Sequence, residues 1–377
     1  MPIIGMAIDL IAPSLPAISK SLHIPEYVAK DVIPIYLLGY ALGNFLIGFL
    51  SDSLGRQKIL RVSLLLFLLS SLCPIFFTTI SVLLGARFFQ GMALGSIAVL
   101  TRSIFADLLE PEQLVRTSVM MGAMWGIGPI VGPVIGGYLQ FYFNWQATFW
   151  FFSIAALISG LALIVIIPET HFNRHPLNFR TIKKNALEIL SHKIFMSMVV
   201  LTGCIYSTIL VFNTMAPFFI QTTLHYSSIF FGHIALCMGA IYLVSTLACR
   251  RMLKTYSVEK ISFFSINTFF LLTICSLVLS FFLKENLTLV VMISAVMYIA
   301  CGILFPMLVG KSIGLFRHIS GTAGAIMYLI SISITSGASF FAAFLHTNTT
   351  TPIISVYLIL LFICFFISLR GRYSSTH

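Results

Sequence analysis

Charged side chains are scarce in this sequence. Its 377 residues include 22 lysines and arginines and 11 acidic residues, which together make up 9% of the chain. A soluble domain carries about 25% charged residues. The charged side chains of this sequence are therefore too few to cover the surface of a water-soluble enzyme of this size. The 35 phenylalanines exclude a disordered chain. The seven cysteines lie scattered in apolar stretches, which excludes a disulfide-stapled secreted fold.

Metal-binding spacing is also missing. No pair of cysteines has zinc-finger or redox spacing, and the nine histidines fall mostly in loops or at the ends of apolar runs. We therefore expect no metal and no cofactor.

Long apolar runs are abundant, and a membrane-spanning helix needs about 20 such residues. The twelve runs are Met1–Ser19, Ile33–Ser51, Ile59–Phe77, Ser81–Phe105, Ser118–Tyr142, Phe149–Ile167, Ile194–Ile220, Ile229–Cys249, Ile261–Leu283, Leu287–Val309, Gly321–Leu345 and Ile353–Leu369. A polar, basic stretch separates six runs from six, as in transporters built from two parallel repeats. We predict an all-α polytopic membrane protein with six-helix bundles at residues 1–168 and 194–370. A central cytoplasmic loop at 169–193 and a cytoplasmic tail at 371–377 complete the predicted organisation.

The first apolar run begins at Met1 and Pro2 with no charged flank before it. A signal peptide would need a basic start and a small-residue cleavage site, and neither is evident. Either the first span is short or the chain begins upstream, and we expect a truncated or misassigned start.

The net charge of +11 would suit a nucleic-acid partner in a soluble protein. In a membrane protein, a surplus of lysine and arginine marks the cytoplasmic loops. Most of the basic residues fall in alternate connections, such as the one with Arg56 and Lys58 and the one with Arg250 and Lys254. We predict that both termini face the cytoplasm and that no nucleic acid is bound.

Two charges, Asp9 and Arg87, lie well within predicted spans. A charge at the bilayer centre costs about 2.5–3.5 kcal/mol and normally faces the bundle interior or a wet cavity. The two side chains could form an ion pair that only stabilises the helix bundle, or Asp9 could bind and release a proton. Pro13 and Pro16 follow Asp9 and remove backbone donors, which should loosen the helix there.

Two glycine-containing stretches suggest moving contacts between helices. The first stretch follows the second span and contains Gly48, Asp52, Gly55, Arg56 and Lys58. Asp52 would sit at a helix C-terminus, where the helix dipole disfavours an anion. It therefore needs a partner such as Arg56 or the N-terminus of another helix, unless the stretch is a plain solvated turn.

The second stretch lies in the fifth span, where small residues let helices pack backbone to backbone. It comprises Gly128, Pro129, Gly132, Pro133, Gly136 and Gly137. Its glycines recur every four residues on one face, beside a stripe of prolines, although a generic packing face would show the same spacing.

These stretches resemble motifs A and C of the major facilitator superfamily, and Arg87-Phe-Phe-Gln90-Gly91 resembles its motif B. Further matches, including Thr101 to Asp107, resemble the Bcr/CflA drug-resistance branch over nearly the whole chain. Asn44 departs from that pattern, because glutamine is usual there. The resemblance implies the superfamily fold, a role for Arg87 in proton transfer or substrate contact, and export in exchange for protons.

From these features we expect a proton-driven exporter of small amphipathic compounds, such as amphenicol- or bicyclomycin-like antibiotics, in the bacterial inner membrane. The alternative is a specific exporter of an endogenous metabolite, such as a siderophore or an amino-acid derivative. A membrane enzyme would need a cluster of acids or histidines, and a non-transporting relative would have lost Asp9 or the motif A glycines. We expect a monomer, and the candidate cavity residues are Tyr36, Asn44, Gln90, Met124, Tyr206, Asn213 and Tyr298.

Overall fold

A computed structural model describes residues 2–166, 179–316 and 319–373, and within these ranges the backbone forms helices and no strand. The helices are α1 (Pro2–Asp9), α2 (Leu15–Ser21), α3 (Glu26–Lys30), α4 (Val32–Leu54), α5 (Arg56–Phe76), α6 (Ile80–Leu108), α7 (Pro111–Tyr142), α8 (Gln146–Ile166), α9 (Phe179–Ser191), α10 (Lys193–Phe218), α11 (Ser228–Met252), α12 (Val258–Phe282), α13 (Leu287–Gly314), α14 (Ser320–Ala343) and α15 (Thr351–Tyr373). A 3-10 turn at Ala12–Ser14 joins α1 to α2, and a π-helical turn at Phe219–Thr223 follows α10.

Ten of the described segments are long and apolar enough to cross a membrane. Three of these spans are composite: α1 with α2, α3 with α4, and α10 with its π turn. The apolar helices α7 and α8, of 32 and 21 residues, complete a set of twelve. The predicted all-α polytopic fold is confirmed.

The helices pack in a pattern that repeats in the two halves of the chain. In the first half α4 packs on α6, α1 on α7 and α5 on α8; in the second half α11 packs on α13, α10 on α14 and α12 on α15. Two further pairs, α4 with α14 and α7 with α11, join the halves. The sequence therefore folds as two similar bundles that meet along two helix pairs.

Helices α4 and α6 of the first half pack with their backbones in contact. A Cβ added at Gly39 or Gly43 of α4 would overlap the backbone of α6, and one added at Gly91 or Gly95 of α6 would overlap the backbone of α4. Small residues spaced by four let the two backbones touch, which is a typical source of stability in membrane bundles.

The stretch predicted as a central loop contains the helix α9, while residues 169–178 lie outside the described part. Ile189 of α9 is fully buried in an apolar cluster with Phe195 and Val199 of α10. The second half therefore begins with a short helix packed against its own bundle.

Each half contains an ion pair between corresponding helices, but the helices that carry the acidic and the basic residue are exchanged between the halves. Arg56 at the start of α5 pairs with Asp107 at the end of α6, with 2.6 Å between Nε and Oδ2. In the second half, Glu259 at the start of α12 pairs with Lys311 at the end of α13. The first pair is more enclosed, because the Arg56 side chain is only 9% exposed and the Glu259 side chain is 66% exposed.

This difference in burial predicts different coupling energies. In double-mutant cycles of thermal unfolding in detergent, Arg56→Gln with Asp107→Asn should give a coupling of about 1.5–3 kcal/mol, as for hydrogen bonds to charged groups. Lys311→Gln with Glu259→Gln should give only about 0.2–1 kcal/mol, because water screens the pair. Equal couplings, or a larger one for the second pair, would contradict the described burial.

Candidate functional site

The first span is broken next to its acidic residue. Asp9 is the last residue of α1, and the chain passes through the 3-10 turn before α2 begins at Leu15. Pro13 and Pro16 have no backbone N–H, so the carbonyls one turn earlier lose their usual helical donors. The loosened helix predicted from these prolines is present, and it places Asp9 at an interruption of the span.

Asp9 contacts the other half of the protein. Its side chain is buried, and its carboxylate accepts a hydrogen bond from the amide Nδ2 of Asn213 on α10. The amide oxygen of Asn213 is buried without a hydrogen-bond partner. Tyr206 and Tyr298 lie close enough to Asp9 to interact with it electrostatically. Asp9 and Asn213 therefore form a polar contact between the bundles.

A second polar contact lies one turn along the same interface. Gln221, in the π turn after α10, donates its Nε2 hydrogen to the carbonyl oxygen of Pro13 at 2.9 Å. The interrupted part of the first span thus faces the irregular end of α10. Discontinuous helices of this kind line the substrate and ion sites of many transporters.

Arg87 is fully buried on α6 and does not pair with Asp9. Its guanidinium donates to Gln90 Oε1 at 3.0 Å, to the Ala7 carbonyl at 3.1 Å and to the Val32 carbonyl at 3.3 Å. It also lies over the ring of Tyr36, 4.2 Å from the centroid. Arg87 therefore joins α1, α4 and α6 within the first half. The interpretation of Asp9 and Arg87 as a mutual ion pair does not describe this structure.

The predicted cavity residues are mostly buried. Tyr36 is fully buried, Gln90 donates to Ser71 Oγ at 2.8 Å, and Tyr298 packs edge-on against Phe212. The Tyr36 hydroxyl and the Asn44 amide nitrogen are buried without a hydrogen-bond partner.

The remaining two candidates differ from this group. Tyr206 is half-buried, and its ring centroid lies 5.1 Å from that of Phe305. The side chain of Met124 lies outside the described residues.

In the motif A stretch, Gly55 separates α4 from α5 with a φ of 91°, a conformation that favours glycine. Arg56 pairs with Asp107, and Lys58 is exposed. Gly48 and the Asp52 side chain lie outside the described part, so the expected contact of Asp52 stays a prediction. The structure instead supplies Asp107 as a partner of Arg56, which the sequence did not reveal.

The motif C glycines face two different helices. A Cβ at Gly128 or Gly136 would overlap the backbone of α1 at Gly5 or Leu10, whereas one at Gly132 would lie 3.5 Å from the Asp9 Cβ in ordinary contact. Gly137 lies against the Ser228 backbone of α11. The proline stripe lies on the same side, since the carbonyl of Pro133 approaches Gly232 of α11. Helix α7 is thus wedged between the Asp9 helix and the second half.

Comparison with known proteins agrees with this architecture. The family model for the Major Facilitator Superfamily matches residues 3–343. The chain belongs to the Major Facilitator Superfamily. As the motifs predicted, this is a family of membrane transporters and not of enzymes.

Proteins with sequences similar to this superfamily member include some whose names describe them as resistance proteins. A bicyclomycin resistance protein homolog of Haemophilus influenzae is 29% identical over 49% of this chain and 47% of its own length. The multidrug resistance protein MdtL of Salmonella heidelberg is 27% identical over 58% of this chain and 56% of its own length. The aligned part therefore spans about half of each relative. A crystal structure of a D-xylose-proton symporter has a TM-score of 0.71 at 15% identity, covering 98% of this chain and 95% of that one, which shows the shared fold.

One polar cluster of this superfamily member was not predicted, and we call it the Lys30 cluster. Lys30 of α3 is 1% exposed, lies 3.6 Å from Glu26 and donates to the carbonyl of Leu345 in the second half at 3.0 Å. Thr347 donates to Glu26 at 3.2 Å, and the Lys30 ammonium lies 5.0 Å from the ring centroid of Phe218. Because Lys30 stands at a span end, the sequence suggested only a loop lysine.

The motif C geometry predicts that two neighbouring glycines tolerate alanine very differently. Gly136→Ala should force α1 away from α7 and cost about 1–3 kcal/mol, as overpacking does. Gly132→Ala should be neutral or slightly stabilising, because there is room for a methyl group and alanine favours helices. Thermal unfolding of the two purified variants in detergent tests this, and equal losses would refute the described packing.

The Lys30 cluster predicts that removing the Lys30 ammonium increases the distance between the two halves at that end of the bundle. Lys30→Met removes the bond to the Leu345 carbonyl, so spin labels at Lys20 and Glu285 should report a larger, broader distance in a cysteine-free background. The exposed Lys254→Met serves as the control and should leave the distances unchanged. Identical distributions for all three proteins would show that Lys30 does not hold the halves together.

Proposed function

We propose that this protein exports small amphipathic compounds in exchange for protons by alternating access. The observation that carries the proposal is the contact of Asp9 with Asn213 across the two bundles. When the bundles separate at this level, water reaches the carboxylate, which can then gain or lose a proton. When they close, the carboxylate returns to its buried partner.

The available driving force is sufficient for such a cycle. One charge crossing a potential of 100 mV gains about 2.3 kcal/mol, and one pH unit adds about 1.4 kcal/mol. Together they correspond to a substrate gradient of roughly several hundred-fold if one proton is exchanged per substrate molecule.

The direction of transport and the substrate class rest on two further points. The repeated Gly-Pro pairs of α7 resemble the antiporter motif, and the relatives carry names of bicyclomycin and multidrug resistance proteins. Aromatic and flexible apolar side chains suit varied amphipathic ligands, because they adapt to many shapes. Export of an endogenous metabolite would use the same site and is the alternative substrate assignment.

The proposal also fixes an orientation. The basic loops support an orientation with the end that carries Arg56 and Lys311 in the cytoplasm, the Lys30 cluster on the outside and both termini cytoplasmic. In this orientation motif A would act as a gate at the cytoplasmic end, and the Lys30 cluster would join the halves at the outer end. The proposed setting is a monomer in the bacterial inner membrane, without a cofactor and powered by the proton gradient.

Replacing the carboxylate tests the proposal directly. Asp9→Asn should lower the rate of proton-driven efflux at least about 100-fold, because an amide cannot carry a proton between the two sides. The variant should still insert into the membrane. Asp31→Asn is the matched control, since Asp31 lies outside the Asp9 site. Proton-coupled efflux that survives Asp9→Asn in proteoliposomes would refute Asp9 as the carrier.

The substrate is identified by a drug-susceptibility and metabolite-export screen in an efflux-deficient host, with and without an uncoupler. Resistance that disappears with the uncoupler supports drug export. Secretion of one cellular metabolite without any drug resistance would support the alternative, and uptake would contradict both assignments.

A further inference from the structure

The contact between Asp9 and Asn213 crosses the two halves and involves an ionisable side chain, whereas the contacts of Arg87 stay within the first half. Arg87 binds Ala7, Val32 and Gln90, which all belong to the first half. Arg87 therefore moves together with Asp9 when the halves separate. Asn213 belongs to the second half, so its bond to the carboxylate is broken or formed by that motion.

The chemistry of an amide suits both protonation states of its partner. Nδ2 donates to an ionised carboxylate, and the amide can turn so that Oδ1 accepts from a protonated one. Oδ1 is buried and unpartnered here, so it is available for that second arrangement. A hydrogen bond to a charged group is roughly twice as strong as one between neutral groups. The bond across the halves is therefore stronger while Asp9 is ionised.

We propose that Asn213 is the positioning residue through which the second half responds to the protonation of Asp9. The ionised carboxylate holds Asn213 and keeps the halves together at this level, and protonation weakens the bond and favours their separation. This inference rests on the proposed proton-coupled export and adds to it a specific partner on α10.

Within the described part of the chain, four other ionisable groups are identified around Asp9. They are Arg87 on α6, Tyr36 on α4, Tyr206 on α10 and Tyr298 on α13. Of the helices that pack beside α1, α8 contains no ionisable residue, and α7 presents Gly132, which has no side chain, to the Asp9 Cβ. Arg87 donates to main-chain carbonyls and does not pair with Asp9. Asn213 donates to the carboxylate, so it is the uncharged group best placed to stabilise the ionised form of Asp9.

The test measures the protonation of Asp9 without any substrate. Infrared difference spectra of the purified protein record the carboxyl C=O band against pH, and the band is assigned by its loss in Asp9→Asn. Asn213→Leu, similar in size but without hydrogen-bonding atoms, should move the midpoint about 1–2 pH units upward, as expected for losing a hydrogen bond to a charged group. Asn213→Asp should also move it upward, because two adjacent carboxylates share one proton.

Asn267→Leu is the matched control, because the Asn267 amide bonds only the Phe263 carbonyl one turn earlier in its own helix. It should leave the midpoint unchanged. Circular dichroism and gel filtration identify any variant that misfolds, and for such a case Asn213→Ser removes the amide with a smaller change. An unmoved midpoint in the folded Asn213 variants would overturn the inference.

Transport assays separate this inference from the proposed function. Wild-type protein that titrates but drives no efflux would refute proton-coupled export and leave the spectroscopic result standing. Wild-type efflux together with Asn213 variants of unchanged pH dependence would refute the role of Asn213 alone.

Discussion

The burial of one carboxylate between two helical bundles is the constraint on which the rest of the site depends. A charge inside a bilayer is tolerated only with a partner or with access to water, and Asp9 has its partner in the opposite bundle. The broken first span, the irregular end of α10 and the wedge of α7 all surround this contact. The first bundle supplies the acid and holds its helix with Arg87, and the second bundle supplies the amide.

Backbone contact between helices makes this geometry possible. At Gly128 and Gly136 the α7 backbone touches α1, and at Gly137 it touches α11. A shift of α7 would therefore act on both the Asp9 helix and the second half, since its backbone is in direct contact with both at these glycines. Gly132 differs, because among the glycines of α7 that the structure describes it is the one with room for a methyl group, and that room lies beside Asp9.

Much of the fold follows from the sequence, because long apolar runs have few alternatives in a membrane. Asp9 and Arg87 were recognisable for a related reason: charges stand out within such runs. Their separation was not predictable, because opposite charges within the spans of one bundle suggest a pair. Only the packing shows that Arg87 donates to the Ala7 carbonyl instead. Asn213 was one of several polar candidates, and a contact 204 positions along the chain leaves no local pattern. Lys30 and Asp107 were missed as functional partners because residues at span ends resemble ordinary loop charges.

The enclosure of Lys30 also bears on how easily the transporter changes shape. Removing an ammonium group from water carries a large desolvation penalty, which its bonds to Glu26 and Leu345 offset only in part. If the halves separate at the Lys30 cluster, those bonds are lost but the ammonium is hydrated again. The two states are therefore closer in energy than the number of broken contacts suggests. A protein balanced in this way needs only a small bias, of the size that one proton or one bound molecule supplies, to move from one state to the other.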